Sequence, residues 1–133
     1  MSRQTFVRTN ANNAASLYGP GMPRRTKPDA LALRVGRRIR ALREEQGLTM
    51  EKLAFESEVG SKGHLSSLEA GLVMPTVATL KAVADRLEVL VADLVTDPRD
   101  GDRAKLLELT RGLPPGVLRR LVKELSAARK SAR

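Results

Sequence analysis

"LTMEKLAFESEVGSKGHLSSLEAG", Leu48 to Gly71, is the stretch on which the reading of this chain turns. It divides into two short amphipathic runs. Thr49 can cap the first, its hydroxyl accepting a first-turn N–H, with Glu51 well placed against the helix dipole and Leu53 and Ala54 facing inward. Ser61 can cap the second, which carries Leu65 and Leu68 and stops at Gly71. The stretch holds Lys52 and Lys62 against Glu51, Glu56, Glu58 and Glu69, net −2, in a chain whose formal charge is +9. Where the basic charge lies, and what it serves, therefore has to be found outside it.

Upstream, Leu31, Val35, Ile39 and Leu42 recur at spacings of four and three, one apolar stripe of a helix that Gly47 can end. Downstream, Pro75-Thr76 opens another, in which Val77, Leu80, Val83, Ala84 and Leu87 keep helical spacing, and a short fifth follows near "LVADLV". Five helices in so short a stretch leave no room for strands. Beyond them, "DGDRAKLLELTRG" reads as a helix capped by Asp100 or Asp102, and "PPGVLRRLVKELSAARKSAR" as a longer one starting near Pro115. Val117, Leu118, Leu121, Val122 and Leu125 form its apolar stripe.

Composition narrows the function. The 133 residues include no Cys or Trp, and His64 is the only histidine, so disulfides, thiolate metal sites and His clusters are excluded. No Cys–His or paired-carboxylate arrangement suggests catalysis. Gly19–Gly21 follows no strand and makes no nucleotide-binding loop. The chain is expected to be no enzyme and to need no cofactor. No apolar run approaches the ~20 residues of a membrane span, and no secretory signal is visible, so a cytoplasmic, nucleoid-associated location and no membrane partner are expected. Residues 1–28 hold Arg3, Arg8, Arg24, Arg25 and Lys27 without an acid, net +5, among Asn, Ser, Gly and Pro, and read as a disordered arm. Residues 113–133 are again +5. With a pI near 10.8, the first partner to consider is nucleic acid.

"IRALREEQGLT", "EKLA", "SLEAG", a Pro four residues after that Gly, and "TLKAVADRLEVLVADL" together resemble the Cro/C1-type (Xre-like) helix-turn-helix family of bacterial and phage regulators. The resemblance covers residues 35–95. It implies an all-α, five-helix lambda-repressor-like domain over 29–96, a third helix entering the major groove and a second crossing the backbone above it. It puts Thr49 at a phosphate, Ser61, Lys62, Gly63, His64 and Ser67 on the DNA-facing part of the third helix, and Ser66 near the backbone. It pairs Glu69 with Arg43 as a structural ion pair. Three departures stand out. Met50 replaces a Gln that would buttress the phosphate contact. Glu88 stands where a helix-ending Gly is common. The span from Ala54 to Glu69 is one residue long, so either Gly60 is inserted with Glu58 at the usual turn glycine, or the turn is rebuilt around Val59-Gly60.

On this basis the chain is expected to be a sequence-specific transcriptional regulator, a repressor or autoregulator, bound as a homodimer to an inverted repeat in double-stranded DNA. Arg24, Arg25 and Lys27 of the arm, Arg38 of the first helix and the C-terminal cations would supply phosphate attraction. Residues 97–133 would form the dimerisation extension through the Val117–Leu125 stripe. The alternative is an adaptor or antitoxin-like module whose reading face meets a protein partner and binds DNA only weakly.

Overall fold

The computed structural model describes residues 26–133, so Arg24, Arg25 and most of the expected arm lie outside it. The described residues form seven helices and no strand: α1 (Ala30–Glu45), α2 (Met50–Glu56), α3 (Lys62–Glu69), α4 (Val77–Leu87), α5 (Val91–Val95), α6 (Asp102–Thr110) and α7 (Pro115–Ser131). The first five surround one aliphatic core. Ile39, Leu42, Leu53, Leu65, Leu68, Val83, Leu87 and Leu94 are all but inaccessible to solvent. With no aromatic side chain in that core, its cohesion comes from interdigitated Leu and Val.

Capping follows the sequence at most ends. Asp29 Oδ1 accepts from the N–H groups of Leu31 (3.0 Å) and Ala32 (3.1 Å) at the head of α1. Thr49, Ser61 and Thr76 cap α2, α3 and α4 by accepting from the third residue on. Helices α1, α3 and α4 end in the same double hydrogen bond around a left-handed residue. That residue is Gly47 (φ +66°) after α1 and Gly71 (φ +72°) after α3, but Glu88 (φ +55°) after α4.

Two expectations about α1 and α6 are corrected. Leu31 does not join the core stripe; it is exposed, and Ala32 and Gly36 are buried in its stead, because the face of α1 against α3 is rotated toward small residues. Neither Asp100 nor Asp102 caps α6. Its N-cap is Gly101 (φ +123°), while Asp100 is drawn to Arg34 at 2.5 Å.

Gly36 has a steric cause: a Cβ there would stand 2.2 Å from the Leu68 carbonyl oxygen and 2.7 Å from that of Glu69. The α1 and α3 backbones therefore meet closely, and the contact is locked beside it by charge. Arg43 Nε donates to Glu69 Oε1 (2.7 Å), Nη2 to Oε2 (3.0 Å), and Nη1 to the Leu48 carbonyl (2.7 Å). Both side chains are buried, and either charge left alone would cost about 3–5 kcal/mol. The Asp29 N–H, donating to the Gly71 carbonyl (3.1 Å), fixes the other end of the contact.

Helices α6 and α7 are joined differently. Neither contains a buried residue. Arg38 of α1 pairs with Glu108 of α6, and Arg111 just beyond α6 pairs with both Glu108 (2.9 Å) and Glu45 (3.1 Å). Val117, Val122 and Leu125 of α7 are exposed and Leu118 and Leu121 half-buried, so the α7 stripe is only partly covered among the described residues.

Candidate nucleic-acid interface

The turn between α2 and α3 decides how α3 is presented. Its extra residue is absorbed by two left-handed positions, Glu58 (φ +56°) and Gly60 (φ +109°), with Val59 between them buried in the core. Glu58 thus does stand in the left-handed place of a turn glycine, and the turn is also rebuilt around Val59-Gly60. Met50 packs against the core rather than toward solvent-borne charge.

Thr49 is exposed, and its Oγ1 accepts from the Lys52 N–H at 3.1 Å. Ser61 caps α3 in the same manner, accepting from the His64 N–H at 3.2 Å. The Lys62 ammonium, at the first residue of α3, lies 2.5 Å from Glu51 in the first turn of α2. That pair sets the leading turns of the two helices side by side, so Thr49 and the start of α3 share one surface. It also holds the Glu51 carboxyl below its ordinary pKa, through the hydrogen bond from Lys62 before any other cause. Gly63 is exposed and open, with nothing nearer its absent Cβ than Ser61 Oγ at 3.7 Å. His64 is half-buried, and burial lowers its pKa, favouring the neutral ring that can donate at one nitrogen and accept at the other. Ser66 is exposed on the same helix, and Lys27 is exposed ahead of α1.

Two expected contact residues are placed elsewhere. Ser67 is buried. The reversal at Gly71 brings Leu72 back over it, the Ser67 carbonyl accepting the Leu72 N–H at 3.0 Å while its hydroxyl donates to the Gly63 carbonyl at 3.0 Å. It is therefore no part of an exposed reading face. Arg38 is occupied too. Its Nε donates to the Asp93 carbonyl at 2.8 Å and its Nη2 reaches Glu108, so it ties α1 to α5 and α6 rather than standing free for phosphate. Of its α1 neighbours, Arg34 and Arg40 also have carboxylate partners, and only Arg37 is exposed without one.

Gly36 is the functional residue that periodicity passed over. A glycine inside a helix costs about 1 kcal/mol relative to Ala, and one kept there signals close packing. Here it lets α3 lie flat on α1 with its opposite face outward. Among the described residues there is no cluster of potential metal ligands, and no helix is long and apolar enough to cross a membrane.

Against known proteins, residues 39–94 match the family model described as helix-turn-helix. An uncharacterized HTH-type transcriptional regulator of Sinorhizobium fredii, y4dJ, is 45% identical over 62 residues, 47% of this chain and 79% of that protein. The immunity repressor protein of Bacillus phage phi105 is 38% identical over 61 residues, 46% of this chain but only 42% of the repressor's length. Among solved structures, the SinR protein/SinI protein complex superposes with a TM-score of 0.52 at 29% identity, over 73% of this chain and 98% of the matched one.

Proposed function

The chain belongs to the helix-turn-helix family of DNA-binding transcriptional regulators, a family of regulators rather than of enzymes, and from that premise we propose that it is a repressor that occupies an inverted-repeat operator as a homodimer. The observation that carries this is the presentation of α3. Its inner side is fixed to α1 by the Gly36 contact and the Arg43–Glu69 pair, while Lys62, Gly63, His64 and Ser66 are left on or near the surface it shares with Thr49. In this reading α3 enters the major groove, and the capped head of α2 meets a phosphate. The partly exposed α7 stripe supplies the two-fold partner contact, and the protein works in the cytoplasm on the nucleoid.

Direct readout rests on few groups. Lys62 must exchange Glu51 for a guanine edge or a phosphate, and such an exposed pair is cheap to open. His64 offers one donor and one acceptor. Specificity then leans on backbone contacts and duplex shape. A second reading, in which the same surface meets a protein, is favoured by Phe55: it is 84% exposed on α2, with Glu51 and Glu56 on the same short helix. The SinR protein, for its part, is seen in a complex with the SinI protein.

Selection of bound duplexes from a random library at about 150 mM salt separates the two. The wild-type chain is expected to enrich an inverted repeat that a Lys62→Ala/His64→Ala double variant no longer enriches. Enrichment of no sequence by the wild type, or equal behaviour of both, would leave the protein-binding reading standing instead.

A further inference from the structure

Most of the positive charge of the helix-turn-helix unit is already matched: Arg34, Arg38, Arg40, Arg43, Lys62, Lys81 and Arg86 each meet a carboxylate, leaving Arg37 and Lys52 exposed without an ion-pair partner among the described residues. Helix α7 is the reverse. Arg119, Arg120, Lys123 and Lys130 are all exposed, and none has an ion-pair partner among the described residues.

The arrangement of these cations is as informative as their number. At about 100° per residue, Val117, Leu118, Leu121, Val122 and Leu125 gather within about 140° of the α7 circumference. On the same count, Arg119, Arg120, Lys123 and Lys130 occupy about 100° centred on the opposite side, while Arg129, near the end of the helix, falls on the apolar side. Glu124 falls between Val117 and Arg120, at the edge of the cationic stripe rather than within it. A helix that pairs through its apolar side thus leaves an unopposed cationic stripe facing outward, along a rise of about 16 Å from Arg119 to Lys130.

We propose that this stripe is a second DNA-contact site, in which α7 lays Arg119, Arg120, Lys123 and Lys130 along the phosphate backbone while its apolar side holds the partner subunit. The inference rests on the DNA-binding reading above and adds the source of attraction that the acidic helix-turn-helix segment lacks. A row of cations without shaped pockets or acceptors suits a regular line of phosphates, which duplex DNA offers at about one charge per 1.7 Å of axis. The stripe carries no base-reading geometry, so it contributes affinity and salt dependence but no sequence preference.

The test is the salt dependence of binding to the selected operator duplex, for wild type and for Arg119→Ala/Arg120→Ala/Lys123→Ala. Alanine favours helix, so the variant retains α7; far-ultraviolet circular dichroism and sedimentation equilibrium confirm its fold and dimeric state. Each lost phosphate contact removes about 0.9 from the slope of log affinity against log salt, so the variant is expected to be shallower by about 2–3 per subunit. Its affinity at about 150 mM salt should fall at least tenfold, with the enriched sequence unchanged. An Arg119→Lys/Arg120→Lys variant keeps the charge and should keep the wild-type slope. An unchanged slope and affinity in a dimeric triple variant overturns the proposal while leaving the operator reading intact, and would point to an acidic protein surface as the occupant. A wild type that binds no duplex overturns both.

Discussion

Glu88 stops α4 at φ +55°, where the Val89 N–H closes onto the Ala84 carbonyl (3.0 Å) and the Glu88 N–H onto that of Asp85 (3.2 Å). Its own side chain takes no part in that closure, so a β-carbon is carried into the left-handed region for hydrogen bonds that glycine would make equally well. The left-handed conformation costs an L-residue about 1–2 kcal/mol, and the extra freedom of glycine in the unfolded chain returns about 0.4–1 kcal/mol of that. Glu88→Gly is therefore expected to stabilise the protein by roughly 0.5–1 kcal/mol, read as a higher urea midpoint at unchanged slope. Gly71 shows why the converse change fails at the end of α3: its added Cβ would lie 2.6 Å from Leu33 Cα as well as sitting at φ +72°.

At the level of the helix, the joint between α1 and α6 is ionic. The Arg111 guanidinium, followed by that of Arg38, holds the Glu108 carboxyl below the usual carboxylate range, while burial works in the opposite direction. A depressed carboxylate pKa means that the stabilisation is fully present above the ordinary value of about 4.3 and is lost as pH falls through the lowered one. Backbone order parameters of α6 should accordingly be high at pH 6.5 and fall on acidification. In Glu108→Gln they should already be lower at pH 6.5 and change less; identical profiles for the two proteins would show that the joint does not depend on this charge. This is also where sequence reading reached its limit. The core helices were legible because aliphatic spacing and caps are local signals: Thr49, Ser61 and Thr76 announce their helices three residues ahead. What Arg38 and Ser67 do depends on partners far along the chain or on a reversed turn, Glu108 for the one and Leu72 for the other. No window of sequence holds both Arg38 and Glu108, and the short span from Ser67 to Leu72 does not reveal the reversal that buries the serine. The added residue at Gly60 was visible as a length, but its division between Glu58 and Gly60 is a matter of backbone torsion.

Among the described residues, five helices are complete around their own core and two are not. An isolated helix the length of α7 is marginal in water, so in the proposed dimer its formation and the covering of its stripe would be one event. If α7 forms the proposed dimer seam, Leu121→Asp, which places an unpaired charge in that stripe, is expected to weaken self-association at least 100-fold, roughly 2.8 kcal/mol, with a loss of helical circular dichroism. A Leu121→Asp protein that sediments as the wild type does would remove α7 from the dimer seam. The joint that carries α6 and α7 has a different consequence, for descent rather than for stability. Because no residue of α6 is buried, and Arg34 and Arg38 of α1 reach Asp100 and Glu108 while Arg111 reaches back to Glu45 of α1, the contact asks little of the shape of either partner. A lineage could exchange the two C-terminal helices for another pair, or lose them, without repacking a single leucine of the five-helix core, so that in the proposed reading assembly and DNA reading would be free to diverge at separate rates.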